Sequence, residues 1–111
     1  MLKVLPSGDI ELTRGDSAWF EVDINNEETG EKYEVKATDE LTMTIRKSIF
    51  DEDIVFSKTV RATNVIDMKP IDTSNIEYGK YKYDVQLTTS SGDVFTVIAP
   101  STFNLLYEVT K

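Results

Sequence analysis

Apolar residues in this chain recur at every second position rather than at helical spacing. Ala18, Phe20, Val22 and Ile24 fall on one face of the segment 17–24, with Trp19, Glu21 and Asp23 on the other. Leu41, Met43 and Ile45 alternate with Thr42, Thr44 and Arg46, and Tyr81, Tyr83, Val85 and Leu87 alternate with Lys80, Lys82, Asp84 and Gln86. Side chains on an extended backbone point alternately to opposite faces, so such a stripe predicts a half-buried strand. Weaker versions of the pattern cover 10–13, 54–58, 65–68, 94–99 and 103–109, all rich in the β-branched and aromatic residues that strands favour. Seven or eight short strands at this spacing predict an all-β fold, an immunoglobulin-like antiparallel β-sandwich.

Turn chemistry supports the same division. Arg14-Gly15-Asp16 separates the first two strands, and Ser90-Ser91-Gly92-Asp93 joins two others as a hairpin loop. Pro100-Ser101 interrupts the C-terminal run, and a proline there predicts a bulge or a change of sheet, because it removes a ladder donor. Whether 103–109 continues the 94–99 strand or joins the other sheet stays open at this point. One helical turn is expected at 72–76, with Asp72 as its N-cap.

The chain has 111 residues, which suits one domain spanning 1–111 with a single modest core. Its 12 Lys+Arg against 20 Asp+Glu leave a net charge of −8. That balance opposes a nucleic-acid partner, which calls for a basic face. There is no cysteine and no histidine, hence no disulfide, no thiolate metal site, no cysteine nucleophile and no imidazole base. The start of the chain lacks the apolar stretch of a secretory signal, and no apolar run reaches the roughly 20 residues of a membrane helix. The expectation is a protein that is not Sec-secreted, has no membrane partner, needs no cofactor or metal and is not an enzyme.

Charge is unevenly spread. Residues 21–40 hold eight acids and two lysines, a net of −6. The segment 25–40 therefore reads as an acidic surface loop, with room for a small hairpin around Glu28-Thr29-Gly30-Glu31. Residues 1–8 read as an N-terminal arm.

Each motif that suggests chemistry has a simpler account. The Arg-Gly-Asp tripeptide at 14–16 matches an integrin ligand, but a β-turn with Gly at a strained position explains the same residues. Asp51-Glu52-Asp53 and Glu27-Glu28 lack the alternating spacing that wraps oxygens around calcium. Paired carboxylates for glycoside hydrolysis need a sugar-sized cleft with about 5–10 Å between them, which a small sandwich rarely forms.

Trp19, Tyr33 and Phe50 are candidate partner-contact residues, and with Tyr78 and Tyr107 they could form a sugar platform. Trp19 marks a contact surface if its face is open to solvent, and belongs to a core if that face is covered. The exposed edge strand and the N-terminal arm are further candidate docking elements.

The run Ile66, Met68, Pro70, Asp72, Ile76, Gly79, Tyr81, Tyr83 reads as a structural corner: a strand, a helical turn, a glycine release and a receiving strand. Immunoglobulin-like sandwiches place a tyrosine at such a corner, its hydroxyl bonded back to the upstream backbone. Tyr81 or Tyr83 would fill that role.

Three stretches resemble a known group. The string 11–22 is similar to the Leu-Thr-Arg-Gly-Asp opening of small Ig-like β-sandwich proteins of bacteriophages and prophages of Gram-positive bacteria. Such openings also occur in N-terminal domains of phage baseplate-upper and tail-fibre-type proteins. The segments 70–87 and 96–103 resemble theirs too, so the likeness spans most of the chain outside 25–40. It implies a structural, assembly or adaptor role in a phage or prophage particle. The partners would then be other virion proteins or a second copy, and the location the virion or the bacterial cytoplasm. It brings no catalytic residue. The alternative class is a carbohydrate- or cell-surface-binding module.

Overall fold

The computed structural model describes residues 2–4, 8–25 and 28–107. The molecule is all-β with one short helix. In chain order the elements are β1 (Leu2–Val4), β2 (Ile10–Thr13), β3 (Ala18–Glu21), β4 (Glu40–Arg46), β5 (Phe56–Arg61), β6 (Val65–Met68), α1 (Pro70–Thr73), β7 (Gly79–Thr88) and β8 (Val94–Leu106). Six strands form a curled sheet in the order β1-β2-β8-β7-β4-β5, and β3 pairs with β6 in a second, smaller sheet.

The core lies between the two sheets and follows the odd-even stripes. Ile10 and Leu12, Leu41, Met43 and Ile45, Tyr81, Tyr83, Val85 and Leu87, and Phe103 and Leu105 point inward from the large sheet. Phe20, Val22, Ile66 and Met68 meet them from the small one. Burial at roughly 25 cal/mol per Å² of apolar surface is what selects this register, since a one-residue slip would turn every stripe outward.

Several details depart from the expected layout. The sheet is not wholly antiparallel: β2 runs parallel to β8, Ile10 beside Phe103 through Thr13 beside Leu106. These two strands meet after most of the chain has intervened, so no tight turn dictates their relative direction. The helical turn covers Pro70–Thr73 rather than 72–76. Pro70 sits in the first turn, where its fixed φ suits a helix start. Lys69 is therefore the N-cap, and Asp72 is the third helical residue. The Asp72 carboxylate accepts the Lys69 backbone N–H at 2.8 Å, the reciprocal half of a capping box. The strand expected over 17–24 ends at Glu21, although Val22 still donates to the Asn64 carbonyl at 2.7 Å. The run expected from residue 54 becomes a strand only at Phe56, with Val55 already bonded to Ile45.

The C-terminal ambiguity resolves into one long strand. β8 pairs with β7 from Val94 beside Thr88 to Leu105 beside Gly79 and never changes sheet. Two register shifts break that ladder, one at Val97 opposite Val85 and one next to Pro100. Each inserts one residue, so together they restore the parity that keeps Phe95 and Phe103 on the inner face. The backbone around Pro100 is tied by side chains: Asp9 Oδ1 accepts the Thr102 N–H at 2.9 Å, and the Ser101 hydroxyl donates to the Ala99 carbonyl at 2.9 Å. Within the N-terminal arm, Leu2–Val4 form β1, and residues 1 and 5–7 lie outside the described residues, as does Val109 of the last expected stripe.

Candidate functional site

The register defines two ends. β4 enters beside Thr88 and leaves beside Lys82, so the β4–β5 loop emerges toward the end where α1 leads into Gly79. The turn at 14–16 and Tyr107 lie at that same end, because Thr13 pairs with Leu106 and Leu105 with Gly79. The opposite end carries the acidic segment and the β7–β8 turn, in which Gly92 (φ 90°) donates to Thr89 and Asp93 accepts from Thr89.

The corner end is held by hydrogen bonds. The Tyr81 hydroxyl donates to the Glu77 carbonyl, four residues upstream, at 2.6 Å, which is tyrosine-corner geometry. Burial and the nearby Glu77 charge push the Tyr81 phenol up from its ordinary pKa. Tyr83 is used differently, for its hydroxyl donates to the Gly8 carbonyl and fastens the approach to β2 onto the sheet. Burial, with a smaller effect of Asp9, pushes its pKa to about 12. Gly79, at φ 145°, opens β7 in a conformation that other residues rarely adopt.

The Arg14-Gly15-Asp16 turn is part of this frame. Gly15 N–H donates to the buried Thr73 hydroxyl at 3.0 Å. The Arg14 guanidinium lies 4.7 Å from the Tyr78 ring centroid and donates to the Ile76 carbonyl, and Tyr78 stacks on Tyr107 at 4.2 Å. The arginine is folded against the corner rather than extended from it.

Eight large apolar residues are exposed among the described residues, and six of them belong to this end: Trp19, Ile49, Phe50, Ile54, Ile71 and Tyr107. Trp19 stands opposite Asp67 on the outer face of the small sheet and is 68% exposed, so it is no part of the core. Phe50, in the β4–β5 loop, is 89% exposed. Beside them Lys58 occupies an inward register position opposite Met43 and stretches to Asp72 (3.0 Å) and Asp67 (3.7 Å). Burial alone would raise the Asp72 carboxyl. The Lys69 N–H and the Lys58 ammonium outweigh it and hold that pKa below its usual value.

Tyr33 does not share this surface. It sits at the other end, half-buried against the core, and its hydroxyl donates to Asp39. That bond, with burial and the Asp39 charge, pushes the Tyr33 phenol up to about 12. The same bond and the Lys36 N–H pull the Asp39 carboxyl down against burial, which would raise it. Asp39 also accepts the Lys36 N–H at 3.0 Å. Asn64, which no sequence motif singled out, completes the anchor. Its amide oxygen accepts the Val35 N–H (2.8 Å), and its amide nitrogen donates to the Val22 (3.1 Å) and Tyr33 (3.3 Å) carbonyls. The acidic segment is therefore a fastened hairpin, closed by a bridge between Asn25 and Lys32, with Lys32 paired to Glu21 at 2.9 Å.

Two hollows mark the surface. One of about 60 Å³ lies over Thr44, Arg46, Lys82 and Asp84, too small for more than water-sized occupants. The other, about 620 Å³, is an open groove at the hairpin end between the segment after β3 and the start of β8. No three acids among the described residues converge as a metal site, and no described helix is long and apolar enough to cross a membrane.

No protein-family model, curated protein or solved structure matches this chain.

Proposed function

We propose that the protein is a non-enzymatic assembly or adaptor subunit of a bacteriophage or prophage particle, and that it docks through its corner end. The observation that carries this reading is the gathering of Trp19, Ile49, Phe50, Ile54, Ile71 and Tyr107 at one end of a molecule whose charge is concentrated at the other. Exposed apolar residues grouped in this way mark a protein contact, whereas scattered ones need no explanation. The corner that carries Ile71 is stiffened by the Tyr81 and Gly15 hydrogen bonds, so docking there would cost little ordering entropy.

Two further points support the reading. The layering, with β3 and β6 facing a sheet centred on β8 and β7, suits an Ig-like sandwich of the kind that the resemblance at 11–22, 70–87 and 96–103 implies. The net charge of −8 keeps free copies apart before assembly.

The test is particle composition. In the organism carrying the gene, prophage induction and density-gradient purification should yield particles that contain this chain at a fixed ratio to the other virion proteins. A chain that stays wholly in the soluble fraction while intact particles form would overturn the proposal.

A further inference from the structure

We infer that Arg46 and Lys82 form a seat for one carboxylate of a docking partner, an aspartate or glutamate side chain flanked by apolar residues. The inference rests on the docking reading above and adds the chemistry that the partner must present.

Arg46 ends β4, Lys82 lies in the first half of β7, and the register sets them directly opposite each other. Their neighbours Ile45, Tyr81 and Tyr83 are buried, so alternation turns both cations to the outer face of the large sheet, where each is half-buried. Like charges facing each other across a strand pair cost stability. Elsewhere the chain avoids that cost. At the far end of β4, Glu40 faces Arg61 and bonds to it at 2.9 Å, and Lys32, Lys58 and Lys69 each reach an acid. With 20 acids to 12 bases, a carboxylate for Arg46 and Lys82 would be easy to supply. Among the described residues Arg46 makes neither an ion pair nor a hydrogen bond, and the Lys82 ammonium donates to a hydroxyl, Thr102 Oγ1, at 2.9 Å.

Thr102 is on β8, so that ammonium leans away from β4, and the hollow of about 60 Å³ is lined by both cations. The bulge in β8 helps to open it. Asp84 faces Ala99 and Pro100 in the break between Tyr83 beside Ser101 and Val85 beside Ile98, and Pro100 forms one wall. Proline has no N–H with which to close the ladder there.

Charge and size select the occupant. Arg46 and Lys82 against Asp84 give the hollow 2 − 1 = +1. One carboxylate balances that charge, whereas a phosphate dianion exceeds it and meets Asp84. Water-sized space suits carboxylate oxygens and excludes a sugar ring, and a planar guanidinium is matched to a carboxylate. Ile49, 58% exposed and next to Phe50, also lines the hollow, which therefore borders the apolar cluster. A carboxylate seated there comes with apolar surface beside it, as on a protein and not as a free ion. A second copy is opposed by a net charge of −8 on each chain.

The experiment has two arms. The first uses the full chain, isotope-labelled for amide NMR, and a short capped peptide with one glutamate between two leucines. Saturable shifts are expected at Arg46, Ser48, Lys82 and Asp84. Replacing the glutamate by glutamine, or Arg46→Gln in the protein, should each weaken binding by about tenfold. Arg46→Gln should hold or raise the thermal midpoint, because it removes a like-charge pair, whereas a guanidinium that served only the fold would lower it on removal. The second arm treats purified particles with a carbodiimide, which joins an ammonium to a carboxylate in contact with it. Peptide mapping should find Lys82 joined to an aspartate or glutamate of another virion protein. Any of four results overturns the inference: equal binding of the glutamine peptide; inorganic phosphate binding as tightly as the glutamate peptide; a lowered midpoint for Arg46→Gln; or Lys82 joined only to Asp84, to a second copy or to nothing. Particles that lack the chain overturn the particle reading instead and leave the peptide result standing, so the two fail separately.

Discussion

At the scale of single residues, stability rests on a few polar side chains that bond to distant backbone. Asn64 is the clearest case, since its amide joins the β5–β6 turn to Val22, Tyr33 and Val35. Net contributions of about 0.5–1.5 kcal/mol per bond predict that Asn64→Ala costs about 2 kcal/mol and frees the acidic hairpin first. Chemical denaturation reads the first effect, and amide exchange over residues 28–36 reads the second. An unchanged midpoint would show that water replaces the amide without loss. Tyr81→Phe should cost about 1 kcal/mol, because the Glu77 carbonyl loses its donor at a site where the ring remains packed. The two tyrosines look interchangeable in the sequence, since both lie on the same stripe next to the glycine release. What separates them is where each hydroxyl lands: the local corner for Tyr81, and Gly8, 75 residues away, for Tyr83. Asn64 carries no signal at all, because an asparagine between two strands reads as turn chemistry until the facing backbone is known.

At the scale of elements, alternation is enough to locate most strands, because burial on one face forces period two. It fails where another force sets the boundary. Pro70 moves the helical turn two residues earlier than Asp72 suggests. At Pro100 the sequence leaves a bulge and a sheet crossing open, and the structure takes the bulge, so one strand runs straight through. The parallel β2–β8 pair has no local signal, since it joins strands from opposite ends of the chain. The α1 corner also carries a pH dependence. Asp72 and Asp39 both titrate below their ordinary values in the folded state. A depressed carboxylate stabilises the fold above its unfolded pKa, and that stabilisation disappears as pH falls through the folded value. Tyr33 and Tyr83 are shifted upward, so their contribution is intact below about pH 10 and is lost as pH rises toward about 12. The thermal midpoint should therefore be level through neutrality, fall below about pH 4, and fall again above about pH 10. Asp72→Asn should flatten part of the acid limb and leave the alkaline limb unchanged. An acid limb identical to that of the parent protein would assign the effect elsewhere.

At the scale of the whole molecule, the chain is a rod of 46 × 27 × 25 Å with unlike ends. The acidic bias of 21–40 is visible as a simple count of residues, but the apolar end is not. Trp19, Phe50, Ile71 and Tyr107 lie in four separate stretches of sequence, and only the register brings them to one end. Two apolar ends would meet only at concentrations high enough to overcome a net charge of −8 on each copy. On the proposed function, removing the apolar side chains should leave the fold alone and abolish docking. Trp19→Ser with Phe50→Ser substitutes two residues that are mostly solvent-exposed, so stability should change by no more than about 0.5 kcal/mol. Particles assembled with the double variant should lack the chain, or hold at most about a tenth of the normal amount, as judged by quantitative mass spectrometry of the gradient fraction. The same substitutions at Val94 and Phe95 would remove apolar surface of similar kind from the hairpin end and serve as the control. If that control abolishes incorporation while Trp19→Ser with Phe50→Ser does not, the docking end has been assigned to the wrong pole of the rod.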